Sequence, residues 1–392
     1  MKIVLVGNYL PDRQESMLRF VSVLKDQYQV RQLDVELLHP EPRFARNLQT
    51  QRGLGKWLGY LDKFVLFPRK LALRARQLHG TRFVVHVCDH SNASYTRQLA
   101  CCNHLVTCND LLAVRSALGE FPENPTRWTG RRLQAMILAG LTRARQVACI
   151  SQASRNDVLR LVKLPAHRVD LVYMGLNYPY HPMPADQGLA VIQKLFPPGD
   201  PAFYQHGRFS PSFLLHVGGN QWYKNRSGLL RIYEALRRRQ SDAPTLVLAG
   251  SPLSAEMSRF INEHELASSV RFVPAAGNED LRALYSMAEC LVFPSLAEGF
   301  GWPIAEAQAC GCRVVTTGQA PMTEVGGDTA AVYIDPASTE ASADAVARLL
   351  TESREQRAAR VQSGLANVRR FSTSGMIDHY LSIYQRLIDS GS

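Results

Sequence analysis

Residues 290–306 read CLVFPSLAEGFGWPIAE, and this stretch decides the fold. Cys290–Phe293 is a short, continuous apolar run, as expected of a strand covered on both faces. Pro294 and Ser295 open a turn, Gly299 and Gly301 keep it supple, and Pro303 suits the first turn of a helix. Strand, glycine-bearing turn and helix together are the repeating unit of a parallel α/β sheet. The same stretch carries chemistry. Backbone amides around Gly299–Trp302, at the positive end of that helix, form a cradle for a diphosphate. Glu298 precedes the turn and Glu306 lies in the first helical turns, so both carboxylates can face one ligand. One would take sugar hydroxyls and the other ribose hydroxyls. The plainer alternative is that Glu306 only complements the helix dipole and Glu298 is a solvated loop residue.

Working outward, the second half repeats this unit. Strands are expected at Phe213–Val217, Thr245–Ala249, Arg271–Val273, Cys290–Phe293, Arg313–Thr316 and Ala331–Ile334, with a helix from about Ser227 to Arg238. Residues 216–226, HVGGNQWYKNR, form the turn after the first of these strands. Gly218 and Gly219 let a ligand approach the backbone closely, and Lys224 can neutralise phosphate charge. Neither this turn nor Gly7–Leu10 fits GxGxxG, and GxxxxGK[ST] is absent, so dinucleotide and P-loop sites are unsupported.

The first half reads the same way. Strands are expected at Lys2–Val6, Val30–Val35, Phe83–Val87, His104–Cys108, Gln146–Ile150 and Arg168–Tyr173. A helix is expected over Ser16–Lys25, and another follows Ser151, capped by Ser154 or Asn156. Seven prolines between residues 179 and 211 break up the middle of the chain and read as a linker. Thr373–Ile388 carries a wide apolar face and reads as a terminal helix. The expected organisation is an N-terminal Rossmann-like domain (1–178), a Pro-rich hinge (179–211), a second Rossmann-like domain (212–371) and a C-terminal helix (372–392).

The 392 residues carry 45 Lys plus Arg against 34 Asp plus Glu, a net charge of +11, with 46% hydrophobic residues. That composition is globular. No apolar run approaches the roughly 18 residues that span a bilayer, so a soluble, cytoplasmic protein is expected. The eight cysteines include the adjacent Cys101-Cys102 but no CxxC pair, which reads as reduced core thiols without a metal site. The charge is uneven: residues 1–185 hold 26 basic and 13 acidic side chains, and residues 186–392 hold 19 and 21. Arg43–Arg82 alone contains ten basic residues and one acid, Asp62, interleaved with Trp57, Leu58, Tyr60, Leu61, Phe64, Val65 and Phe67. A basic stretch with an aromatic face suits contact with an anionic membrane. The alternative packs Trp57, Leu61 and Phe64 onto the sheet. No nucleic-acid module accompanies the charge.

EGFGWPIAE, with its ExxxxxxxE spacing from Glu298 to Glu306, resembles the hallmark of retaining glycosyltransferases of family 4, which have the GT-B fold. GGNQWYKN is similar to that family's phosphate-binding turn. APMTEVGGDTAAVYIDP (320–336) is similar to its next donor-side loop, and RARQVACISQASRNDV (143–158) and VDLVYMGLN (169–177) to its usual run into the hinge. The resemblance covers nearly the whole chain. It implies two Rossmann-like domains facing each other across a cleft, the C-terminal helix returning to the first. It also implies sugar transfer from a nucleoside-diphosphate sugar to a glycan or glycolipid in cell-surface polysaccharide assembly. The sugar is weakly suggested to be mannose.

On the donor side the resemblance implies Gly218, Gly219, Asn220, Lys224, Glu298, Gly299, Phe300, Gly301, Glu306 and Glu324, with Lys224 on the diphosphate and Glu306 on the ribose. Glu298, Lys224 and Asp110 stand as the catalytic candidates. Acceptor-side candidates are Asn8, His86, Asp89, His90 and Asn109. The position where the family often has His followed by Asp reads Asn109-Asp110 here. An Arg that often accompanies the turn Lys is replaced by Asn220 or Tyr223, with Arg226 following later, so the second phosphate-neutralising group stays open. The family is thought to react on one face of the sugar, the departing phosphate helping to remove the acceptor proton, without a covalent nucleophile or a metal ion. A GT-B sugar-nucleotide epimerase and a non-catalytic sugar-nucleotide or glycan-binding scaffold are the alternatives.

Overall fold

The structure, a computed structural model, describes residues 1–46, 53–205 and 208–390. Residues 47–52 of the basic stretch, 206–207 of the Pro-rich stretch and 391–392 at the end of the terminal segment lie outside the described residues. The chain divides into two units, Met1–Asn177 with Thr373–Ser392, and Tyr178–Ser372.

Unit 1 is built on β1 (Lys2–Val6), β2 (Asp34–Leu38), β3 (Phe83–Val87), β4 (His104–Cys108), β5 (Gln146–Cys149) and β6 (Val169–Leu171). All neighbours run parallel, in the order β2-β1-β3-β4-β5-β6. Every residue of β3 and β4 is buried, because helices cover both faces of a parallel sheet. Unit 2 opens with a small antiparallel pair, β7 (Tyr204–Gln205) and β8 (Arg208–Phe209). Its sheet comprises β9 (Phe213–Gly218), β10 (Thr245–Gly250), β11 (Val270–Pro274), β12 (Cys290–Phe293), β13 (Val314–Thr317) and β14 (Ala331–Ile334). The order is β11-β10-β9-β12-β13-β14, again parallel throughout. In each sheet the strand order reverses once, between β1 and β3 and between β9 and β12. Ligands of open parallel sheets bind beyond the carboxyl ends of the strands flanking such a reversal.

Local departures from the sequence reading have clear causes. The first helix runs over Glu15–Val30 and β2 begins only at Asp34. Val30 is the last helical residue and is 76% exposed, and Gln32 adopts a left-handed φ of 57° that interrupts the apolar run. Ser151 itself caps helix Gln152–Leu161, its Oγ accepting Ser154 N–H at 3.1 Å. Residues 179–211, expected to be a hinge, fold within unit 2 as far as they are described. Helix Ala185–Leu195 buries Ile192. Phe196 stacks on Phe203 at 4.1 Å, and Phe203 meets Phe213 of β9 edge-on. The prolines divide this segment, and its aromatic residues fasten it to the sheet.

Helix Thr373–Asp389 belongs to unit 1 and is held there by buried hydroxyls. Tyr384 Oη lies 2.8 Å from Tyr28 Oη and 2.7 Å from His86 Nδ1. His86 Nε2 lies 2.7 Å from Thr107 Oγ1, which reaches Tyr380 Oη at 2.9 Å. The network joins β3, β4, helix Glu15–Val30 and the terminal helix. Burial pushes the His86 imidazole down to about 3, so it works as a neutral hydrogen-bonding group. Removing one buried partner strands the others, at a cost of about 1–3 kcal/mol. Tyr384→Phe is therefore expected to lower the urea midpoint of unit 1 by that equivalent. An unchanged midpoint would show that the hydroxyl does not hold the helix.

Candidate functional site

In unit 2 the turns after β9 and β12 meet at the strand-order reversal. Leu296 N–H donates to Tyr223 O at 2.7 Å, and Asn225 Nδ2 donates to Pro294 O at 3.0 Å. These bonds align the two motif turns, and Lys224 Nζ meets Glu298 Oε1 at 2.7 Å with both side chains largely buried. Lys224 also lies 5.0 Å from the centre of the Phe293 ring. Gly301 takes φ 104° at the start of helix Trp302–Ala309, a conformation strained for any side chain. A Cβ on Gly250, at φ 129°, would meet Gly218 O at 2.3 Å, so the close approach of the β9 and β10 ends also requires glycine.

Glu306, in that helix, is 5% exposed and accepts a hydrogen bond from Tyr285 Oη at 2.8 Å. Burial and the Glu306 charge push the Tyr285 phenol well up, keeping it a donor. Phe300 packs its ring edge-on against Phe371 at 5.2 Å, so any ligand role falls to its backbone. Gly218 ends β9, and Gly219 and Gly299 lie in the two turns. Asn220 Nδ2 donates to Pro252 O at 2.7 Å. Glu324 is half-buried in the short helix Met322–Gly326.

The sequence reading gave no role to two residues here. Arg226 starts helix Arg226–Arg239, is 2% exposed, and donates through Nη1 to Asn220 Oδ1 and, at 2.8 Å, to Ser251 O. It thereby ties the turn after β9 to the one after β10. Its Nε and Nη2 are buried without a partner among the described residues, as is His216 Nε2 on β9. Burial pushes His216 down to about 3, and its Nδ1 lies 3.0 Å from Val292 O. It is a neutral imidazole donating to β12. A guanidinium with idle donors beside Lys224 sets two cations against the carboxylates Glu298 and Glu306, and the unused donors suit an anion.

In unit 1 the turns after β1, β3 and β4 bring Asn8, Asp89, His90 and Asn109 together. Asn8 Nδ2 donates to Asp89 Oδ2 at 2.6 Å, Asn92 Nδ2 to Asn8 Oδ1 at 2.9 Å, and Asn109 Nδ2 to Asp89 Oδ1 at 3.2 Å. His90 Nδ1 lies 3.1 Å from Asp89 Oδ1 in an ion-pair contact. Burial alone would raise the Asp89 carboxyl, but His90, Ser91 and Asn8 hold it well below the usual range. Burial alone would lower His90, but the Asp89 carboxylate, with Asp110 behind it, holds the imidazole above its ordinary value. That upward pull by Asp89 makes His90 a weaker candidate for removing a proton. Asp110 Oδ1 accepts Leu112 N–H at 2.9 Å and fastens the start of helix Leu112–Ala117. His86 does not join this cluster. Both its ring nitrogens are engaged in the buried network that holds the terminal helix.

Residues 205–364 match the family model "Glycosyl transferases group 1". The matched residues lie within unit 2. The chain is 27% identical over 268 residues to O-antigen chain mannosyltransferase B of Escherichia coli, covering 68% of this chain and 67% of that protein. It is 33% identical over 178 residues to D-inositol 3-phosphate glycosyltransferase of Salinispora tropica, a match spanning 43% of this chain and only 37% of that one. The solved structure of HepE from Anabaena, in complex with UDP and glucose, superposes with a TM-score of 0.70 at 16% identity, over 97% of this chain and 98% of that one. The fold is therefore GT-B, and the turns described here frame the strand-order reversal inside the segment that the family model matches.

The His90 assignment has a direct check. Its NMR titration midpoint is expected above 6.5 in the wild type and below 6.5 in Asp89→Asn, where burial acts with its chief opponent removed. The folded value is raised, so the His90 contribution is full below the unfolded pKa and is lost as pH rises through the folded value. A wild-type midpoint below 6.5 would refute the pairing.

Proposed function

We propose that the chain is a retaining glycosyltransferase that moves a sugar from a nucleoside-diphosphate sugar to a glycan or glycolipid acceptor, in the assembly of cell-surface polysaccharide. The observation that carries the reading is the Lys224–Glu298 pair at the strand-order reversal, with buried Glu306 and Arg226 beside it. The names of the relatives support it: an O-antigen chain mannosyltransferase, an inositol phosphate glycosyltransferase, and a structure holding UDP and glucose. Mannose is the proposed sugar on the first of these.

As the glycosidic bond breaks, charge gathers on the departing diphosphate. Lys224, Arg226 and the amides at the start of helix Trp302–Ala309 stabilise that charge more in the transition state than before it. Glu298 holds Lys224 in place and, with the Phe300–Gly301 backbone, takes the donor sugar hydroxyls. Glu306, oriented by Tyr285, takes the ribose. Charge neutralisation by side chains leaves no task for a metal ion in this scheme. The departing phosphate collects the acceptor proton on the face it leaves, giving retention. In unit 1, Asn8, Asp89, His90 and Asn109 bind acceptor hydroxyls, with Asp110 adding to the pull of Asp89 on the His90 imidazole.

No helix among the described residues is long and apolar enough to cross a membrane. Peripheral contact with the inner face of the cytoplasmic membrane is supported by Leu54, Trp57, Leu61 and Val65, all exposed along one side of the segment from Gly53 onward, with exposed Lys56 among them. Lys63 is turned inward, 2.7 Å from Asp12.

Release of nucleotide from a panel of UDP- and GDP-sugars, with and without lipid-linked acceptor, tests the proposal, and NMR of the product gives the anomeric outcome. Lys224→Ala is expected to cut kcat/KM about 100-fold or more, in the range for removing a transition-state charge partner. Glu306→Ala should raise the donor KM. Arg226→Gln should weaken binding of the nucleoside diphosphate about tenfold while leaving the free nucleoside unaffected, as expected for loss of a charge-assisted contact. If no donor turns over, or Glu306→Ala changes nothing, the transferase reading fails. Equal losses for nucleoside and diphosphate would reduce Arg226 to a structural tie.

A further inference from the structure

A cavity of about 440 Å³ opens in unit 1 between the end of β2, the loop that follows it, and the π-helical turn and helix spanning Asp62–Gln77. It lies within the size range of small-molecule sites. No residue named above for the acceptor or donor lines it.

Its wall is divided by chemistry. Leu38, Leu66, Phe67 and Leu73 give an apolar side, with Leu73 59% exposed at the rim. The rest is charged, and pairing the charges leaves a remainder. Glu36 takes Arg74 through paired hydrogen bonds, its ion pair closing at 2.6 Å, and Glu41 takes Lys70 at 2.6 Å. Asp62, 1% exposed, is satisfied by Tyr9 Oη at 3.0 Å and by the backbone N–H groups of Arg43, Phe44 and Ala45 at 3.1–3.2 Å. Arg43 and Arg69 then remain, both lining the cavity, and neither forms an ion pair among the described residues.

The position of Arg43 is built rather than incidental. Three consecutive amides gripped by one buried carboxylate fix the loop that carries it. That carboxylate sits in a π-helical turn, an irregularity that helices tend to keep where it serves a site. Arg69 projects from the first turns of helix Phe67–Gln77 across the same space. Two guanidinia with free forked donors suit a phosphate oxygen set, and the neighbouring leucines and phenylalanine suit an alkyl chain.

We propose that this cavity binds a phosphate ester joined to an apolar tail, the phosphate held by Arg43 and Arg69 and the first carbons of the tail lying along Leu38, Leu66 and Leu73. Two sources share that chemistry, a phospholipid headgroup in a bilayer and a phosphorylated isoprenoid carrier. The cavity belongs to the segment that bears the exposed Leu54–Val65 face, so either ligand would be reached from a membrane surface. The site stands on unit 1 alone and does not depend on donor binding in unit 2.

Calorimetry with geranyl phosphate, geraniol and inorganic phosphate reads the soluble arm on the full chain. Sedimentation with phosphatidylcholine vesicles, with and without phosphatidylglycerol, reads the bilayer arm. Arg43→Gln/Arg69→Gln is compared with Trp57→Ser, which alters the exposed face but not the cavity, and circular dichroism melting verifies that each variant folds. Geranyl phosphate is expected to bind about tenfold or more tightly than either geraniol or inorganic phosphate, and the double variant should lose that margin, as for charge-assisted contacts. Phosphatidylglycerol-dependent sedimentation lost in the double variant, without a geranyl phosphate response, would support the site and assign the bilayer source. Geranyl phosphate binding no tighter than geraniol, together with vesicle binding that only Trp57→Ser reduces, would overturn it.

Discussion

Everything in this molecule follows from the parallel backbone ladder. Parallel strands cannot be joined by tight turns, so each is followed by a crossover that lays a helix on one face of the sheet. Both faces are then covered, and the strands become continuous apolar runs such as β3 and β4. Growing the sheet in both directions from its first strand leaves one place where neighbouring turns diverge, and polar residues gather there. In unit 2 that place holds Lys224, Glu298, Arg226 and Glu306, and in unit 1 it holds Asn8, Asp89, His90 and Asn109. Two unrelated sets of side chains thus occupy equivalent positions for one geometric reason.

The two sets also differ electrostatically. The unit 2 set balances Lys224 and Arg226 against Glu298 and Glu306 and keeps guanidinium donors unspent among the described residues. In the unit 1 set Asp89 is held as a carboxylate by its neighbours and pulls the His90 imidazole above its ordinary value. The first is suited to a diphosphate, and the second to neutral hydroxyl groups that need oriented donors and acceptors.

The strands were legible because a sheet covered on both faces writes itself as apolar runs, and the turn chemistry was legible where glycine and proline crowd together, as in residues 299–303. What burial decides was less visible. In the sequence Arg226 only follows the Lys224 turn, with the second phosphate-neutralising group left open, and the meeting of two turns shows it enclosed. His86 could not be placed by alternation, because both faces of β3 are buried and periodicity carries no information there. The partnership of Tyr285 with Glu306 spans 21 positions and leaves no local signature. The Pro-rich segment misled for the opposite reason. Its prolines announce a break in regular structure, while its attachment to unit 2 depends on Phe196 and Phe203, whose contacts no local rule reveals.

The tyrosine and histidine network of unit 1 has a consequence for the order in which the chain is made. The helix Thr373–Asp389 that completes unit 1 leaves the ribosome only after all of unit 2. Until then His86 Nδ1, Thr107 and Tyr28 lack the Tyr380 and Tyr384 hydroxyls that meet them in the finished unit, and the face of the sheet meant for this helix stays uncovered. The N-terminal half is therefore the first to be synthesised and the last to be finished. Unit 2, contiguous in sequence, can close on itself in the interval.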